Sequence, residues 1–144
     1  MNAMRRVLCV LLWLGASGAL AQSKNFGSYT VHYSAVNSTF LTPAIAAQYR
    51  IVRSNRHAFL TIAVLRNNGG SGTPVTAKLA GSKTNLMQQT DPITFHENHE
   101  GDSISYIGEF DFSNAETVRF RIDVQPEGKG DNLPLEWTTQ LYTD

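Results

Sequence analysis

The sequence predicts an all-β protein: an antiparallel β-sandwich of immunoglobulin-like layout, with about eight short strands and one short helix between the first two. Three observations lead there. Beyond residue 28, apolar and polar residues alternate with a period of two through most of the chain. Clusters rich in Gly, Asn, Ser and Pro interrupt that alternation at short intervals. No long stretch carries the spacing of an amphipathic helix, which leaves sheet-on-sheet packing as the way to bury the apolar faces.

The N-terminus stands apart. Arg5 and Arg6 precede the apolar run Val7 to Leu14, and Ala19-Leu20-Ala21 offers small residues where a signal peptidase reads them. Residues 1–21 are therefore predicted to be a secretory signal peptide cleaved before Gln22, with residues 22–144 forming a single sandwich domain. A membrane span needs about twenty apolar residues, and Gly15, Ser17 and Gly18 break the run well short of that. No stable membrane span is expected after cleavage. The only cysteine, Cys9, leaves with the leader, so the mature chain has neither disulfides nor thiol chemistry. That suits a periplasmic location. Loss of Arg5 and Arg6 leaves ten basic against twelve acidic residues. With no basic surplus, nucleic acid is not expected as a partner.

The first strand alternates Tyr29, Val31, Tyr33 and Ala35 against Thr30, His32 and Ser34, with His32 facing solvent. Then Thr42 can cap a helix, Pro43 suits its first position, and Leu41, Ile45 and Tyr49 recur every four residues. In the run from His57 to Leu65, Ala58, Leu60, Ile62 and Val64 line one face. Phe59, Ala63 and Leu65 make the other face apolar too, so this strand is central or lies under the helix. NNGGSGTP forms a turn, and Val75, Ala77 and Leu79 resume the alternation to Gly81. Further strands are expected at 85–89, 93–98, 104–111, 118–124 and 133–142, with Trp137 filling the core.

His96-Glu97-Asn98-His99 comes close to a zinc-protease motif, but its histidines are three apart, where that motif needs four on a helix. On a strand, His96 faces one way while Glu97 and His99 face the other. We read the stretch as a hairpin corner turning at Glu100-Gly101-Asp102, with Glu97, Glu100 and Asp102 a solvated acidic group and no metal assigned. Glu109 and Asp111 read as solvent-facing decoration of one strand face. No Gly-x-Ser-x-Gly elbow or paired catalytic carboxylates are present. The chain is accordingly expected to be no enzyme and to need no cofactor. Arg50, Arg53, Arg56 and His57 concentrate positive charge between the helix and the central strand. The favoured reading has them capping the helix end and pairing with Asp and Glu across the sandwich rim. They are also the binding candidates, because guanidinium groups grip carboxylates and phosphates.

Taken together, STFLTPAIAAQYRIVRS, PVTAKLAGSKTNL, SISYIGEF and VRFRIDVQPEGKG resemble, in content and order, a family of small exported bacterial proteins described as domain of unknown function 4426. The most specific parts are Ser38-Thr39-Phe40-Leu41 with Arg53-Ser54, and Asn85-Leu86. The resemblance implies a periplasmic all-β domain and assigns no activity. The expected role is binding a protein or envelope partner through a rim loop or an exposed sheet edge. The alternative is a small metal- or anion-binding protein using the His96/His99 corner or the arginine block.

Overall fold

Alternation over Tyr29–Asn37 and His57–Arg66 produces two long strands that pair antiparallel, with Val31 opposite Val64 and Tyr33 opposite Ile62. A computed structural model of the protein describes residues 21–143. The leader read at 1–21 lies outside them, except for Ala21. The strands are β1 (Gln22–Asn25), β2 (Tyr29–Asn37), β3 (His57–Arg66), β4 (Thr73–Val75), β5 (Ala77–Asn85), β6 (Thr90–Ile93), β7 (Phe95–Glu100), β8 (Ser103–Asp111), β9 (Glu116–Pro126) and β10 (Leu133–Leu141). A 3-10 turn (Ser38–Phe40) and the helix α1 (Pro43–Tyr49) link β2 to β3. One sheet runs β1-β2-β3-β8-β7, with β4 also pairing β3. The other runs β10-β9-β5-β6, and every pairing is antiparallel. The chain is the predicted all-β sandwich. No helix among the described residues is long and apolar enough to cross a membrane.

The core lies between the sheets. Leu60, Ile62 and Val64 of β3 meet Phe120, Ile122 and Val124 of β9 and Leu135 of β10, all with no exposed surface. Burial of each such side chain contributes about 1.5–3 kcal/mol. Trp137 faces inward as expected, its ring 4.9 Å from Phe120 and 4.5 Å from Tyr33. A second apolar cluster forms on the outer face of the larger sheet. There Val36, Phe59 and Ile107 are covered by Leu41, Ala46 and Ile51 from around α1. This is why β3 is apolar on both faces. Thr42 caps α1 by accepting from the Ile45 amide at 3.2 Å, with Pro43 in the first turn.

Two features depart from the sequence reading. The strand read at 85–89 does not form; Asn85 ends β5, and residues 86–89 turn the β5–β6 hairpin. The Asn85 side-chain oxygen accepts from the Met87 and Gln89 amides, and Gln88 takes a left-handed φ of 63°. That turn holds Leu86 and Met87 out in solvent. The strand count also rises to ten. Beyond the short added β1, single residues, Thr76 and Thr94, break what read as continuous strands, and at each break the chain passes from one sheet to the other.

The second crossing is locked by Phe95, whose ring lies between Gly81 of one sheet and Gly108 of the other. A Cβ on either glycine would sit 2.8 Å from that ring and 2.6 Å from Ile122 or Ile93. Gly108→Ala is therefore expected to lower stability by about 1–3 kcal/mol, as overpacking does. Urea unfolding followed by tryptophan fluorescence checks this, and an unchanged midpoint would show that the ring moves aside freely.

Candidate functional site

The binding candidates of the sequence fall into two groups. Arg50 ends α1 in the left-handed region at φ 58°, ψ 39°. Its amide donates to the Ala47 carbonyl and that of Ile51 to the Ala46 carbonyl, the pattern of a Schellman cap with an arginine where glycine is usual. The connection that follows is pinned by the buried Ser38 hydroxyl, which donates to the Ser54 carbonyl and accepts from the Ser54 amide, both at 2.9 Å. Arg53 and Arg56 are exposed, Arg53 reaching only the Thr39 carbonyl at 3.5 Å. Among the described residues, Arg50, Arg53 and Arg56 take part in no ion pair. The sequence reading favoured their tying to rim acids, and that does not occur.

The rim acids go to His57 instead. Its Nδ1 lies 2.7 Å from Asp111 and its Nε2 2.8 Å from Glu109. Register explains this, since His57 sits directly opposite Asp111 and Phe59 opposite Glu109. Both nitrogens face carboxylates, so both must donate, which describes an imidazolium. Partial burial alone would lower its pKa, but the bonds to Asp111 and Glu109 prevail and raise it. Asp111 is solvent-facing as read, its side chain 86% exposed, but it and the part-buried Glu109 are not mere decoration, since both hold His57.

The His96–His99 corner is a hairpin, as read, and its two histidines do not converge. His96 stands opposite Ile107, on the outer face. Glu97 is on the other side, where it accepts from the Tyr106 hydroxyl at 2.5 Å and faces His99 Nε2 at 2.9 Å. The Tyr106 hydroxyl also accepts from the Ala77 amide of the opposite sheet. Its pKa is pushed up to about 12 by burial and by Glu97. Glu97 is lowered by its bonds to Tyr106 and His99. Glu100 accepts from the Tyr49 hydroxyl of α1. The corner is thereby anchored to α1 and across to the second sheet, where the sequence suggested a solvated acidic loop. Among the described residues, no group of three or more His, Cys, Asp or Glu side chains is placed to hold a metal ion.

Two clefts result. One, of about 350 Å³, lies between the end of α1 and β7 and is lined by Gln48, Arg50, His96, Asn98, Ile107 and Glu109, among others. It brings one candidate from the arginine block together with one from the histidine corner. The other, also about 350 Å³, lies on the opposite flank, between the second half of β2 and the outer edge of β10. Phe40, Trp137 and Tyr142 line it, with Phe40 50% and Tyr142 56% exposed. The sequence reading missed this groove. Its walls come from residues about a hundred positions apart, bridged by the Asn37 side chain donating to the Tyr142 carbonyl at 2.8 Å.

Residues 23–144 match the family model for a domain of unknown function, DUF4426. The chain belongs to the DUF4426 family. It is similar to the crystal structure of a DUF4426 family protein from Pseudomonas aeruginosa PAO1, with 28% identity and a TM-score of 0.74, over 86% of this chain and 96% of that one. It also resembles in fold FetP of uropathogenic Escherichia coli strain F11, recombinantly expressed in the periplasm, at 9% identity and a TM-score of 0.62, over 87% and 95% of the two chains. A copper-bound variant of FetP gives 9% and 0.61, over 87% and 97%. No curated protein matches the chain. The blocks that carried the DUF4426 resemblance have local structural work: Ser38 and Ser54 bond reciprocally, and Asn85 builds the hairpin turn.

Because its folded-state pKa is raised, His57 contributes stability that is fully present below its unfolded value of about 6.5. That contribution is lost as pH rises through the raised folded value. His57→Gln is expected to flatten the pH dependence of the urea midpoint over that window while lowering stability at pH 6. Titration of the His57 imidazole by NMR supplies the independent check, and an apparent pKa below 6.5 would contradict the pairing.

Proposed function

We propose that this DUF4426 chain is an exported, non-catalytic protein that binds an extended segment of a partner polypeptide along its open flank. The observation that carries this reading is the pair of bare strand edges facing the aromatic groove. Among the described residues, β10 pairs only with β9, so its other edge is unpaired from Leu133 to Leu141. Among them, too, β1 pairs only with Thr30 to Tyr33 of β2, which leaves Ser34 to Asn37 uncovered on that side. An unpaired edge offers backbone donors and acceptors to an added strand, and pockets beside it read alternate side chains of that strand. Phe40 and Tyr142 supply exposed apolar surface where such a segment would lie.

Export is supported by the leader pattern of residues 1–21, by the start of β1 at Gln22 immediately after the predicted cleavage point, and by the fold shared with FetP, which was expressed in the periplasm. The copper in the FetP variant lends less support to a metal-binding role here. His96 and His99 lie on opposite faces of β7, and carboxylates occupy both nitrogens of His57.

Replacing Tyr142 or Phe40 with a photocrosslinking amino acid, in cells producing the full chain with its leader, is expected to capture one polypeptide at both positions. The same probe at Lys78, exposed on β5 two strands away from β10, is expected to capture none. With that partner purified, β10 amides gain protection from hydrogen exchange, and Tyr142→Ala weakens binding about tenfold, as loss of an aromatic anchor does. Equal capture at Lys78, or no protection along β10, would overturn the reading.

A further inference from the structure

Beyond the strand-binding flank, we infer that the cleft between the end of α1 and β7 is a binding site for a small monocarboxylate. Its volume of about 350 Å³ is at the lower end for small-molecule sites. Arg50 lies at its rim without an ion-pair partner among the described residues. The Schellman cap holds its backbone at φ 58°, where a side chain is less favourable than glycine. An arginine thus stands beside the cleft at a conformational expense that capping alone does not require, since glycine would cap the helix better.

The remaining lining fits a carboxylate better than other anions. His96 and Asn98 alternate onto the same face of β7, and Gln48 adds an amide from α1, so side-chain donors can complete what the guanidinium fork begins. Ile107 gives the floor a place for a short apolar group. Glu97 and Glu109 also line the cleft, but Glu97 is engaged by Tyr106 and His99, and Glu109 Oε1 meets His57 Nε2 at 2.8 Å and the Val52 amide at 3.4 Å. A doubly charged phosphate would meet that acid and the negative end of α1 with only one guanidinium to balance them. A singly charged carboxylate needs no more than one. A free amine would have to compete with His57 for Glu109 and would face Arg50.

The test is an NMR titration of the mature protein with butyrate, following the amides of His96 and Asn98 and the Ile107 methyl groups. Saturable shifts are expected from butyrate, with much smaller ones from inorganic phosphate and n-butylamine at equal concentration and ionic strength. Arg50→Gly restores the usual capping residue, so its thermal midpoint should equal or exceed that of the parent while butyrate binds at least about tenfold more weakly, the loss of a charge-assisted pair. Arg53→Gln should leave the titration unchanged. Butyrate binding that survives Arg50→Gly, or that phosphate or butylamine matches, overturns the assignment, as does the absence of saturable shifts in the parent protein.

Discussion

The placement of Phe95 between two glycines is the constraint on which the rest of the structure depends. Its ring occupies the space that side chains at Gly81 and Gly108 would take, so it touches both sheets at the point where the chain crosses between them. A strand presents alternate residues to opposite faces. Once Phe95 is committed inward, Glu97 must point toward Tyr106, while His96 and Asn98 must point out toward α1. A slip of one residue would expose the ring and send His96 into the core. Packing at one residue thus settles which chemistry each side of β7 can take part in.

The larger sheet is apolar on both faces, and this organises the functional surface. One face builds the core with the second sheet; the other carries Val36, Phe59 and Ile107, which α1 covers. The helix is only seven residues long and ends before it reaches β7. The space past its end is the cleft with Arg50 on one rim and His96 on the other. Tyr49, hydrogen bonded to Glu100, keeps the helix and the hairpin at a fixed separation. Beneath them, His57 absorbs the charge of Glu109 and Asp111, so two acids share one face of β8 without leaving a bare negative patch.

Much of the sandwich could be read from the chain, and the missing parts share a physical reason. Alternation located β2, β3, β8, β9 and β10, and Thr42 with Pro43 located the start of α1, because each signal is local. The sheet crossings at Thr76 and Thr94 left no such trace, since one extended residue between two strands looks like a strand. The turn at 86–89 was misread because Leu86 and Met87 resemble a buried pair, and only the Asn85 hydrogen bonds reveal otherwise. Arg50 and His57 were picked out by their charge, but their partners were not. His57 is 52 and 54 residues from Glu109 and Asp111, and only strand register brings them together. A signal was available in hindsight: two acids spaced by two on one strand face call for a cation opposite.

The crossings close one flank of the sandwich and leave β10 bare on the other, and a bare strand can recruit its own kind as readily as a guest. Two copies meeting β10 to β10 would join their sheets into one. Pro134 removes one donor from that edge, and Glu136 with its partner Arg119 at 3.6 Å sets charged side chains beside it. The chain therefore carries a check on self-association on the same strand that stays available for recognition.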